Sequence, residues 1–335
     1  MLLLTLTLSA LQAALPPPIV SGERTTDYEA VGGIFAADSS YLYGPFCSGT
    51  LIEEHWVLTA GHCVEAIQGD YRSFDIVFAL GADLIYDDFL DYSWMSASLL
   101  HPDYVFDDAT FEIDSDIGLL AIDGIDSVPP MPLNDDRLTS SWVDQELRYV
   151  GFGVTRDGAS DSGIKRFVDI PVWAYDAQFV YGYDPEDGDN VCSGDSGGAA
   201  LEFLDGGLWA LTGVHSFVAI FEDGRNPCLE GGNGATRVDV FLPWIQDELG
   251  SDFSGVVLDD EADADTDADT DTDGDSDADT DTDTDADGDT DTPERPDDED
   301  EAEDWFANCS TVPGRTAGGL GLMLAMAALL ARRRR

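Results

Sequence analysis

Residues 191–200 read VCSGDSGGAA. Six of these ten positions are Gly, Ser or Asp, which is poor material for a packed core. A single carboxylate, Asp195, stands beside Ser196 among glycines that bring no side chain to hold the loop. Glycine-rich backbone is costly to order. A chain that orders such a loop needs it for something other than packing, and that reason lies further upstream.

Two short motifs supply it. LTAGHC runs from Leu58 to Cys63, and DIGLL from Asp116 to Leu120. His62 beside Cys63 is also a zinc-ligand pattern, but no second Cys/His cluster with metal spacing follows. Asp116 opening an apolar strand is also an ordinary turn residue. Taken with Ser196, the three residues make a different set. Acyl transfer to a serine needs a base within hydrogen-bond reach, a group that holds the base in one tautomer, and donors aimed at the developing oxyanion. His62 and Asp116 fit the first two needs, with Ser196 as nucleophile. The glycines fit the third: without Cβ atoms the backbone turns sharply, so the N–H groups of Gly194 and Ser196 can share one small space.

Further motifs stand in order along the chain. IVSG begins at Ile19, CSGTLI and WVLTAGHC fall within Cys47–Cys63, and HPDY spans His101–Tyr104. VGFGVT follows at Val150–Thr155, then CSGDSGG, GVHSF at Gly213–Phe217 and PWI at Pro243–Ile245. Residues 19–250 resemble the serine endopeptidases of the chymotrypsin/trypsin family, whose triad is the handed-down template for this chemistry. The resemblance implies an all-β fold of two antiparallel six-stranded barrels closed by a C-terminal helix. It implies His62, Asp116 and Ser196 as the catalytic residues, and Gly194 and Ser196 as the oxyanion hole. Asp114 is the rival to Asp116, two residues earlier on a strand and so expected to face the same side; the family pattern places the aspartate directly before Ile-x-Leu-Leu and favours Asp116.

The chain has five cysteines, Cys47, Cys63, Cys192, Cys228 and Cys309. Four in one exported domain suggest two disulfides with three possible pairings. The resemblance implies Cys47–Cys63 and Cys192–Cys228; the first closes about 17 residues and is worth roughly 3 kcal/mol on the loop-entropy argument. It also gives Asp195 a role, as the buried partner of the α-amino group that cleavage before Ile19 would free. A buried charge needs such a partner. Here the sequence departs from the pattern. Related zymogens carry Lys or Arg before the new terminus, whereas this chain has Pro16–Pro18.

The implied specificity pocket is neutral. Asn190 falls at its base, where an aspartate would select Lys or Arg; Asp189 is one residue away. Val218 falls where the family often has glycine at the pocket mouth, and a branched side chain there favours small aliphatic P1 residues. His215 lies on a wall and is read as packed there, with P1 carboxylate binding, as in glutamate-specific relatives, as the alternative. Ser216 is expected to support Asp116, and 216–218 to pair with substrate backbone.

Composition bounds the rest. The 335 residues carry a net charge of −54, with a pI near 4.1. That excludes a basic face for nucleic acid or anionic lipid. Residues 251–304 hold 27 acidic residues against Arg295 alone, and 19–250 hold 42 acidic against nine basic. Short β-rich runs such as Trp56–Thr59, Phe74–Leu80, Ile117–Ile122, Leu147–Phe152, Phe167–Val172 and Leu208–Val214 alternate with turn residues. Helical periodicity is scarce before Val238–Leu249, where Pro243 leaves the start open.

The expected organisation is a signal peptide at 1–14, a short propeptide at 15–18, the protease domain at 19–250, an acidic stalk at 251–308 and a sorting or anchor segment at 309–335. The Asp/Thr repeat of 259–304 cannot form a core and repels itself into an extended chain, with a stretched span on the order of 100 Å. Asp283–Gly288 with Glu294 matches a calcium-loop pattern, which an Asp/Thr repeat generates easily; weak, loose binding of Ca2+ is expected, and no cofactor is required. Residues 317–331 are apolar, shorter than a usual membrane span, and end in Arg332–Arg335. With Cys309 they resemble the C-terminal sorting signals of certain Gram-negative bacteria, the myxobacterial type; a plain membrane anchor is the alternative. The expected protein is a monomer, exported and held at the cell surface. Its expected partners are protein or peptide substrates, an activating or signal-processing protease and cell-envelope sorting machinery. The rival reading is a catalytically silent relative that binds proteins at the surface.

Overall fold

A computed structural model describes Ile19, residues 22–250 except 87, 108–111, 205, 221–227 and 229–230, and residues 253 and 255–257. The expectations for 1–18, for most of 251–308, and for 309–335 with Cys309 lie outside the described residues. Among the described residues, no helix is long and apolar enough to cross a membrane.

The first barrel is made of β1 (Val31–Ala37), β2 (Leu42–Glu53), β3 (Trp56–Thr59), β4 (Asp75–Asp83), β5 (Asp88–Leu100) and β6 (Gly118–Ile122). They close antiparallel in the order β1-β2-β3-β6-β5-β4. The second is made of β7 (Glu146–Gly151), β8 (Arg166–Tyr175), β9 (Phe179–Gly182), β10 (Ala199–Phe203), β11 (Trp209–Ile220) and β12 (Gly231–Arg237). Its order is β7-β8-β9-β12-β11-β10, with β10 returning to β7. The expected two-barrel fold is therefore present.

Alternation explains why these runs are strands. In β8, RFVDIPVWAY, every second residue from Arg166 to Ala174 is buried, the period-2 signature of a sheet with one face inward. Closing the sheets removes their edges, which would otherwise template aggregation. One buried apolar cluster runs through the first barrel and on to Val150, Phe152, Leu201, Leu211 and Val214 of the second. The two barrels are therefore joined by one packed apolar core.

Two helices accompany the barrels. α2 (Val238–Leu249) starts at Val238, so Pro243 lies inside it without setting its start. α1 (Gly61–Gln68) was not legible as a helix: at two turns it is too short to show a 3.6-residue period. The domain also extends beyond Gly250. Val256–Val257 pairs in parallel with Leu133–Asn134, and Leu133 N–H donates to Gly255 O at 2.7 Å.

Candidate active site

α1 carries His62 on its first turn, directly after β3. The chain can enter a helix there because Gly61 leaves room: a Cβ on it would lie 2.8 Å from the Tyr104 ring. His62 makes two contacts with one carboxylate. Its backbone N–H donates to Asp116 Oδ1 at 2.7 Å, and its Nδ1 lies 2.8 Å from Asp116 Oδ2. Asp116 is 1% exposed. Ser216 Oγ also donates to Oδ2, and Thr236 Oγ1 donates to the Asp116 carbonyl at 2.9 Å. Burial disfavours charge on both partners. The pair overcomes it: the field and hydrogen bond of Asp116 hold the His62 pKa above its usual value, with Glu65 adding to it. Burial likewise raises the Asp116 carboxyl, but His62, by charge and hydrogen bond, and Ser216 bring it below the usual carboxylate range.

Asp114 does not share this site. Ser115 sits at φ 49°, which breaks the strand alternation between the two aspartates. Asp114 Oδ1 instead accepts from Ser115 Oγ at 2.6 Å and Gln178 Nε2 at 3.0 Å. The expectation that both carboxylates face one side is thus corrected by a single backbone dihedral.

The Ser196 loop docks against the first barrel. Ser48 N–H donates to Ser196 O at 2.8 Å, and Ser48 Oγ donates to Gly194 O at 2.9 Å. Gly197, at φ 80°, has no room for a side chain: a Cβ would fall 2.1 Å from Thr59 Oγ1. This close approach brings Ser196 beside Cys63, whose Sγ is 3.6 Å from Ser196 O. Among the described residues, neither the Gly194 nor the Ser196 N–H donates a hydrogen bond within the chain. Both remain available to an incoming oxygen. Ser48 was not singled out from the sequence, although CSGT contains it; its hydroxyl also accepts from Phe152 N–H at 3.1 Å.

Both implied disulfides are formed, Cys47–Cys63 and Cys192–Cys228. The first disposes of the zinc reading. Cys47, His62 and Cys63 do cluster, but the two sulfurs are bonded to each other and offer no thiolate. Asp195, 1% exposed, accepts from Gly153 N–H at 2.7 Å and Cys192 N–H at 2.9 Å. Burial pushes its carboxyl up to about 6 despite those two donors and the field of Arg166. Ile19 is fully buried among Leu138, Trp142, Leu147 and Tyr149. Its nitrogen is still in a peptide bond with Pro18 and is not among the donors to Asp195.

The residues expected to line the pocket are placed as follows. Asn190 is fully buried; its Nδ2 donates to Gly231 O at 3.1 Å, and its Oδ1 accepts from Asn233 Nδ2 at 3.1 Å. Asn233, on β12, pairs in register with Val218 of β11. Sequence reasoning missed Asn233; its signal was a polar residue inside the glycine run GGNG. His215 is buried, its Nδ1 has no hydrogen-bond partner in the chain, and its ring lies 6.4 Å from that of Tyr149. Burial, together with the charge of His62, pushes its pKa down to about 3. Such a ring is neutral near pH 7.

Comparison with known proteins agrees with this geometry. The trypsin family profile matches residues 19–245. Brachyurin of Leptuca pugilator is 29% identical over 249 residues, 66% of this chain and 98% of its own. Proclotting enzyme of Tachypleus tridentatus is 27% identical over 227 residues, 61% of this chain and 58% of its own. Trypsin-1 of Salmo salar is 26% identical over 225 residues, 62% of this chain and 82% of its own. The chain belongs to the trypsin family. It carries a trypsin-like serine protease domain and is a serine endopeptidase.

Proposed function

We propose that this protein cleaves peptide bonds through an acyl-enzyme formed on Ser196. The observation that carries the reading is the double contact of His62 with Asp116, on a helix packed against the Ser196 loop. The Ser196 hydroxyl attacks the scissile carbonyl carbon while His62 Nε2 takes its proton. Asp116 holds Nδ1–H and stabilises the imidazolium. The oxyanion sits on the N–H groups of Gly194 and Ser196, each donor worth roughly 3–4 kcal/mol in the transition state. His62 then returns the proton to the leaving amine as the C–N bond breaks. Water repeats the sequence to release the acid and restore Ser196.

The P1 preference is for small, uncharged side chains. Asn190 and Asn233 bond to each other across the pocket base, and Val218 stands beside Asn233 in the sheet. Asn190, at the expected base, carries no charge to hold Lys or Arg, and a neutral His215 has none for a carboxylate. The enzyme is exported and acts on protein or peptide substrates outside the cell or at its surface, with the acidic residues that follow Val257, up to 308, as stalk and 309–335 as anchor. It needs no cofactor for the reaction, and the acidic tail binds Ca2+ weakly at most.

A fluorophosphonate, with the labelled residue mapped by mass spectrometry, tests this. Label on Ser196 that disappears in His62→Ala supports the reading; folded, disulfide-bonded protein that takes no label makes it a silent binding homologue. A P1-varied peptide library tests the pocket, and preference for Lys or Arg would overturn the neutral-base argument.

A further inference from the structure

Asp114 stands outside the catalytic set, yet it is bonded into a network that ends at Asp116. Ser115, between the two aspartates, holds φ at 49°. This is left-handed backbone, which a residue other than glycine keeps only when its surroundings hold it there. Ile117 N–H donates to Ser115 O at 2.7 Å, closing a three-residue turn with Asp116 at its centre. The direction in which Asp116 leaves the chain therefore depends on how Ser115 is held.

The hold comes from the other barrel. Gln178 stands in the turn between β8 and β9 and meets residues 114–115 with both ends of its amide. Its Oε1 accepts from Ser115 N–H at 2.7 Å, and its Nε2 donates to Asp114 Oδ1 at 3.0 Å. The same carboxylate oxygen accepts from Ser115 Oγ at 2.6 Å, so the three residues form one closed ring of hydrogen bonds. The partners also fix which way the amide points: its oxygen faces an N–H and its nitrogen a carboxylate. Gln178 is itself fixed in place. Asp176 Oδ1 accepts from Gln178 N–H at 2.8 Å and from Phe179 N–H at 2.7 Å, and Gln178 O accepts from Arg237 N–H at 2.8 Å. Asp176 is buried, and its Oδ2 accepts from the Tyr181 hydroxyl. A side chain whose own backbone is pinned can set the position of what it touches. Ser216 and Thr236 grip Asp116 directly from the second barrel; Gln178 grips the residue before it.

We propose that Gln178 is a positioning residue for catalysis: reaching from the second barrel to the first, it holds Ser115 in its left-handed conformation and so aims the Asp116 carboxylate at His62. Asp114 is its counterpart, an anchor for the amide rather than a second catalytic acid. This inference rests on the protease reading above, and the test separates the two.

Fluorophosphonate labelling of Ser196, and kcat and KM on a peptide amide, are measured for the full-length chain and for Gln178→Leu, Gln178→Glu, Asp114→Asn and the double variant Gln178→Glu/Asp114→Asn. Gln178→Leu takes the amide from both the Ser115 N–H and the Asp114 carboxylate. Its kcat is expected to fall about tenfold, with KM within about twofold of the parent, the split that a misaimed triad produces and a damaged binding cleft does not. Gln178→Glu sets two carboxylates against each other and is expected to lose about as much. The double variant restores the bond with donor and acceptor exchanged, and its kcat is expected to return to within about threefold of the parent. Should Gln178→Leu fail to fold, the rescue of Gln178→Glu by Asp114→Asn decides. A kcat that does not respond to Gln178, a KM that carries the whole loss, or a double variant no faster than Gln178→Glu alone overturns the inference. A parent that takes no label on Ser196 fails the protease reading, and this inference with it; a labelled parent with kcat indifferent to Gln178 fails this inference alone.

Discussion

Two aspartates in this molecule are equally buried and oppositely treated. Asp116 and Asp195 are each 1% exposed. Asp116 meets a histidine ring, a serine hydroxyl and a backbone N–H, and its carboxyl is held below the usual range. Asp195 meets two backbone N–H groups and the field of Arg166, and its carboxyl rises to about 6. Burial by itself therefore says little about a carboxylate; what decides is how many donors and charges reach it. The first environment is complete. The second leaves room for one more positive group.

The comparison can be broken at either end. The largest effect is expected at the complete site. Asp116→Asn keeps the shape but presents the wrong tautomer to His62, and kcat on a peptide amide should fall about 10⁴-fold, the magnitude known for the triad of this family. Next is the incomplete site. The folded carboxyl of Asp195, pushed up to about 6 by burial, keeps its proton between about pH 4 and 6, where the unfolded one has lost it. Stability should therefore fall as pH rises through that window, by about 3 kcal/mol. Urea titrations at pH 4 and 7 should show this fall in the parent and not in Asp195→Asn, the difference cancelling the many other carboxylates. Ser216→Ala removes one donor from Asp116 and should lower kcat about tenfold. The smallest effect is a displacement of the pH profile. Catalysis needs neutral His62, whose pKa is raised, so kcat should fall with decreasing pH through a midpoint above 6.5, and a midpoint below 6.5 would contradict the pairing with Asp116.

Much of this was readable in the residues because the chemistry confines itself to short motifs. GDSGG, DIGLL and AGHC each hold a functional group and the small neighbours that position it, and the barrels follow from alternation. Other features depend on contacts distant in sequence. Asn233 acquires meaning only when β12 brings it against Asn190, 43 residues away. Asp114 is separated from Asp116 by the dihedral of Ser115, which no pattern announces. α1 is too short to be periodic. Arg166 read as one more strand residue, since alternation shows which positions point inward and not what they do there.

The nine cations of residues 19–250 are also unevenly spent. Lys165, Arg166 and Arg237 are buried. Arg148 is gripped by Asp169 and lies over the rings of Phe167 and Trp209. Arg24, Arg72, Arg137 and Arg156 are exposed, few against the 42 acidic residues of the same stretch, of which only Asp116, Asp176 and Asp195 are buried among the described residues. The folded domain is therefore a strong polyanion, and it leans on the ionic atmosphere to relieve repulsion over its surface. Brackish or saline surroundings suit such a shell better than fresh water.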